Sequence, residues 1–89
     1  MSDEALTRIL IVDDEENIRH LLRLAFEDGF EVQEAVDGLD ALEKCNINIP
    51  DAIIVDWEMP RMNGVEFITQ FKFIKEVSIL IFYILQVVF

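Results

Sequence analysis

Two short apolar runs in this chain end in carboxylates: Ile11-Val12-Asp13-Asp14 and Ile54-Val55-Asp56. If the runs are neighbouring parallel strands, Asp13, Asp14 and Asp56 converge at the carboxyl end of one sheet, where open α/β sheets hold their ligands. Clustered carboxylates repel one another, and a cation offsets that repulsion. Oxygen-only ligands suit Mg2+, which keeps several waters and bridges readily to a phosphate oxygen. A carboxylate held beside such an ion can act as a nucleophile and carry an acyl phosphate. The plainer alternative is that these acids cap the helices that follow. Two strands of the covered type, both ending in acid, exceed what capping requires.

The elements that must position these acids follow from apolar spacing. Ile9 to Val12 is four consecutive apolar residues, the pattern of a strand covered on both faces. Ile18, Leu21, Leu22, Ala25 and Phe26 then fall on one helical stripe. Asp14, Glu15 and Glu16 lie where its first turn favours negative charge, and Gly29 is a candidate stop. Phe30 to Val36 reads as a second strand, Asp37-Gly38 as a turn, and Leu39 to Cys45 as a short helix burying Leu42 and Cys45. Asn48-Ile49-Pro50 breaks that helix, and Ala52 to Val55 is another continuous apolar strand. Pro60 and Asn63-Gly64 punctuate a loop after Asp56. Phe67, Ile68, Phe71 and Ile74 restore helical spacing to about Lys75, and a fourth strand is expected from Ile79 onward. The order βαβαβαβ with short connections predicts a parallel sheet wrapped by helices through right-handed crossovers.

Composition bounds the function. With 18 acidic and 7 basic side chains among 89 residues, the net charge is −11 and the pI about 4.2. Binding nucleic acid through a basic surface is excluded on that balance. The 53% hydrophobic content equally excludes a disordered acidic tail. The single cysteine, Cys45, cannot form an internal disulfide, and the acidic start MSDEALTR is unlike a signal peptide, so a cytoplasmic location is expected. Charge is uneven: residues 1–58 hold 16 acidic and 4 basic side chains, and residues 59–89 only two and three. Without a linker or repeat, this is a gradient within one domain spanning 1–89.

The segments Ile9-Leu10-Ile11-Val12-Asp13-Asp14-Glu15, Ala35-Val36-Asp37-Gly38 and DAIIVDWEMPRMNG (residues 51–64) closely resemble the receiver domain of two-component response regulators. The resemblance covers roughly residues 7–78. It implies a flavodoxin-like parallel sheet of order 2-1-3-4-5. It also implies that Asp56 is the phosphoacceptor, taking a phosphoryl group from a sensor histidine kinase or phosphotransfer protein. By the same resemblance Asp13 and Asp14 hold Mg2+ directly or through water, with Asp56 and the backbone carbonyl of Glu58 completing the ion's protein ligands. Such a receiver is not itself an enzyme.

The resemblance also marks departures. The family's Thr or Ser at the end of strand four falls near Gln86, and its Lys after strand five has no counterpart beyond Lys75. The expected sheet is therefore 2-1-3-4, with the fifth strand and last two helices missing. Residues 79–89 read as a divergent apolar tail of a partial receiver, and the gene is expected to be interrupted near residue 78. Three consequences are expected: impaired phosphorylation, an apolar edge at strand four that invites self-association, and a first helix covering its sheet face alone. From Val77 the tail has 13 residues, short of the roughly 20 of a membrane span. Its β-branched and aromatic content suits a strand.

His20 is expected to be an exposed helix residue, and Cys45 a core residue. Phe73 falls off the apolar stripe of its helix, and Trp57 either overlies the acidic pocket or packs at its rim. Two other functions fit the same residues. One is a non-catalytic decoy that binds a kinase or receiver partner without accepting phosphate. The other is a Mg2+-dependent phosphohydrolase with an Asp nucleophile, for which Glu58 has the offset of a second acid but Asp13-Asp14-Glu15 is a poor match.

Overall fold

Apolar residues on consecutive positions of short segments leave both faces needing cover, and the chain answers with a parallel sheet between helices. In the computed structural model, residues 6–56, 59, 61–75 and 80–84 are described. The elements are β1 (Arg8–Val12), α1 (Glu16–Phe26), β2 (Glu31–Ala35), α2 (Gly38–Ile47), β3 (Ala52–Asp56), α3 (Gly64–Lys75) and β4 (Leu80–Ile84). All strand pairs are parallel, as the element order predicts, and the order is β2-β1-β3-β4, as the resemblance implies.

Side chains alternate between two cores. Leu10, Val12, Ile53 and Val55 point to one face, where Ala41 and Cys45 of α2 and Phe67, Ile68 and Phe71 of α3 meet them. Ile9, Ile11, Ala52 and Ile54 point to the other, against Leu22 and Phe26 of α1. Cys45 is therefore core. Within α2, Ala41 is the buried neighbour, and Leu42 is only partly buried at the margin of that core.

Helix starts are written in side chains. Asp37 accepts from the Asp40 amide at 2.9 Å, and Asp40 accepts from the Val36 amide at 3.0 Å. At the start of α3 the bonds are reciprocal: Asn63 Oδ1 accepts from the Glu66 amide at 2.9 Å and Glu66 Oε1 from the Asn63 amide at 3.2 Å. Asp37 is thus the cap of a helix that begins at Gly38, rather than part of a free turn.

Three expectations need correction. Only the Leu22 and Phe26 side of α1 packs on the sheet, and no residue of α1 is buried. Leu21 is 62% exposed and Ala25 also faces outward, because no described element packs beside α1 on that face. Gly29 does not stop the helix by a left-handed turn, since no described glycine has positive φ; the Glu27 amide bonds the Arg23 carbonyl instead. The strand expected from Phe30 to Val36 is confined to Glu31–Ala35, with Phe30 turned edge-on to Phe26. The positions of Trp57 and Pro60, the side chain of Phe73 and residues 85–89 lie outside the described residues, so the expectations for them are not addressed.

Unequal cover predicts unequal sensitivity. Phe67→Ala, a fully buried ring between sheet and helix, is expected to cost about 3–5 kcal/mol in urea unfolding. Leu21→Ala is expected to stay within about 0.5 kcal/mol of wild type. Equal losses would contradict this packing.

Candidate functional site

β1 and β3 pair in register from Ile9↔Ala52 to Val12↔Val55, so the next residues of each, Asp13 and Asp56, emerge side by side. Both are fully buried, and Asp14 beside them is exposed. One carboxylate oxygen from each of the three lies within 4.8 Å of the others. The structure thus brings together the three acids singled out from strand ends. Glu58 lies outside the described residues. His20 is exposed on α1, as expected.

Each acid is held by its surroundings. The Asp13 amide donates to the Ala35 carbonyl at 3.2 Å, which ties β1 to the end of β2. Asp13 Oδ1 accepts from the Glu15 amide at 2.9 Å, while Oδ2 is buried with no hydrogen-bond donor among the described groups. Arg19 Nη1 donates to the Asp13 carbonyl at 2.7 Å. Asp56 is fixed from behind by Gly64, where an added Cβ would overlap the Asp56 carbonyl oxygen. That close approach requires glycine at the first residue of α3.

Electrostatics follow from this arrangement. Burial raises the Asp13 pKa above its ordinary value; the Glu15 amide opposes this, the Asp14 and Glu15 charges add to it, and Arg19 lowers it. Glu34 on β2 is shifted down, chiefly by its hydrogen bond with Arg23, despite partial burial. Arg19 and Arg23 both reach Glu34, at 3.2 and 2.6 Å, and so fasten α1 to β2. For Asp37 the largest influence is burial, which raises the pKa. The Asp40 amide and Arg61 together outweigh it and hold the group below its ordinary value. The Arg61–Asp37 ion pair, which joins the loop after β3 to the start of α2, was not foreseen from sequence. An isolated Arg beside Met-Pro carries no local signal of a partner 24 positions away.

Two buried carboxylates and one exposed carboxylate in a triad can hold a divalent cation with hard-ligand preference, and the buried oxygen of Asp13 with no donor among the described groups is what such an ion would satisfy. The model of the response regulator receiver domain family matches residues 9–84, through β4 and past the residue 78 at which the sequence resemblance ends. The chain belongs to that family.

This receiver is 41% identical over 66 residues to "Response regulator MprA" of Mycobacterium sp. (strain KMS), covering 73% of this chain and 29% of that protein. It is 39% identical over 70 residues to "Sporulation initiation phosphotransferase F" of Bacillus subtilis, covering 78% and 56%. Among solved structures it resembles the response regulator TrrA of Thermotoga maritima in complex with Mg(2+)-BeF. That match has a TM-score of 0.75 and 40% identity, over 80% of this chain and 63% of that one. The chain therefore spans under a third of the mycobacterial regulator and just over half of the Bacillus phosphotransferase. None of the receiver's described helices is long and apolar enough to cross a membrane.

Asp13 binds its proton more tightly folded than unfolded, so stability falls as pH rises from its ordinary value through the raised one. At pH 7 the folded state holds an unfavourable buried carboxylate. Without divalent cations, Asp13→Asn is expected to raise the melting temperature at pH 7 by a few degrees, with the gain shrinking towards pH 4. A lower melting temperature at pH 7 would contradict it.

Proposed function

We propose that this receiver takes a phosphoryl group onto Asp56 from a sensor histidine kinase or phosphotransfer protein, with Mg2+ held by Asp13, Asp14 and Asp56. The observation that carries the reading is the convergence of the three carboxylates at the ends of the paired strands β1 and β3. One carboxylate oxygen from each lies within 4.8 Å of the others, so one divalent cation could draw on all three, directly or through water. The resemblance adds the Glu58 carbonyl as a further ligand. The Mg(2+)-BeF complex of the Thermotoga regulator supports the same choice of ion.

An Asp56 carboxylate oxygen attacks the phosphorus of a phosphohistidine. The P–N bond breaks, its electron pair returns to the imidazole ring, and the new P–O bond gives an acyl phosphate. Mg2+, when bound, offsets charge on the transferring oxygens. Asp13 and Asp14 orient that charge, and Gly64 fixes the Asp56 backbone during attack. The role is that of a signalling module in a phosphorelay, and the acidic surface argues against direct nucleic-acid contact. A cytoplasmic location fits this role.

On this reading Asp56 is the nucleophile, and Asp13 and Asp14 beside it are the metal-binding acids. Residues 1–89 act as one receiver unit, with 79–89 as its apolar end. Among the described strands β4 is an edge, and self-association through that edge is part of the reading.

Incubation with acetyl phosphate and Mg2+ is expected to add one phosphoryl mass to the chain. Chelation of the ion and Asp56→Asn both remove it. Addition that persists in Asp56→Asn, or steady turnover of p-nitrophenyl phosphate, would contradict the reading; the second outcome would favour a phosphohydrolase. Kinase capture that leaves Asp56 unmodified would favour a decoy.

A further inference from the structure

The connection that leads from Asp56 to α3 carries a conformational outlier. Arg61 has φ 66°, alone among the described non-glycine residues in the left-handed region. Side chains disfavour that region, and an outlier next to a functional site calls for a physical reason. Its guanidinium pairs with Asp37, whose carboxylate is buried at the end of β2. Asp37 divides its two oxygens: Oδ1 caps α2 through the Asp40 amide, and Oδ2 takes Arg61. The following residue, Met62, lies over Gly38, where an added Cβ would come within 2.7 Å of Met62 Cγ. Two residues further on, Gly64 packs against the Asp56 carbonyl. Three neighbouring positions thus anchor the connection to Asp37, to Gly38 and to Asp56 itself.

Global stability does not account for this pair. The Arg61 side chain is 60% exposed, and ion pairs with so exposed a cation contribute little. The left-handed backbone subtracts from that contribution. What the pair fixes is the path of the connection.

We propose that Arg61 and Asp37 are positioning residues for the acidic site: their ion pair clamps the connection leaving Asp56 onto the start of α2, holding the Asp56 end of β3 in metal-binding geometry. This inference rests on the reading of Asp13, Asp14 and Asp56 as a Mg2+ site. Groups that support a metal site without touching the ion change its affinity by about 10- to 100-fold when removed.

The test uses Arg61→Gly, which adopts the left-handed conformation freely and lacks the guanidinium, and Asp37→Asn, which keeps an acceptor for the Asp40 amide. Mg2+ affinity is measured by calorimetry, amide exchange at Met62 to Gly64 by NMR, and stability by melting. Both variants are expected to bind Mg2+ about tenfold more weakly. Exchange at Met62 to Gly64 accelerates, melting shifts by only a few degrees, and Arg61→Lys recovers part of the affinity. Lowered melting with wild-type Mg2+ affinity in both variants would overturn the proposal while leaving the site reading intact. A wild-type chain that binds no Mg2+ would overturn both.

Discussion

The parallel register of β1 with β3 is the constraint on which the rest of this receiver depends. Pairing Val12 with Val55 leaves Asp13 and Asp56 adjacent at the carboxyl end of the sheet, both fully buried. A shift by one residue would turn Leu10, Val12, Ile53 or Val55 away from the core they share with α2 and α3. Hydrophobic packing therefore fixes where two mutually repelling carboxylates stand. The fold accepts that electrostatic penalty because the apolar contacts along the same strands are far more numerous.

The two sides of the sheet are secured by different means. Facing α2 and α3, burial is nearly complete, and the rings of Phe67 and Phe71 meet tilted by 39° with centroids 6.0 Å apart. Facing α1, apolar cover is thin, and polar bonds complete the attachment: Arg19 and Arg23 converge on Glu34, and Arg19 also binds the Asp13 carbonyl. The helix with the weaker core is thus tied directly to the acidic site through Arg19.

Much of this was readable from residue types. Continuous apolar runs at Ile9–Val12 and Ala52–Val55 located the covered strands, and the acids at their ends located the site. Helical spacing located α1 but not which part of its stripe is covered, because amphipathic periodicity carries no information about a neighbour. Leu21 and Ala25 belong to the stripe and face outward. Capping chemistry at Asp37 was mistaken for a turn, since Asp-Gly serves both. The Arg61–Asp37 pair escaped for a different reason: a bond between two loops depends on tertiary placement, and neither residue is unusual in its local context.

The central claim is that the ends of β1 and β3 form one divalent-cation site on an otherwise broadly acidic chain. Mn2+ shares the oxygen-ligand preference of Mg2+ and broadens NMR signals of nearby nuclei. Substoichiometric Mn2+ is predicted to broaden the amide signals of Asp13, Asp14 and Asp56 selectively, and excess Mg2+ to restore them. Broadening spread over Glu27, Asp28, Glu31 and Asp51, or signals at Asp13 and Asp56 untouched by Mn2+, would contradict the account.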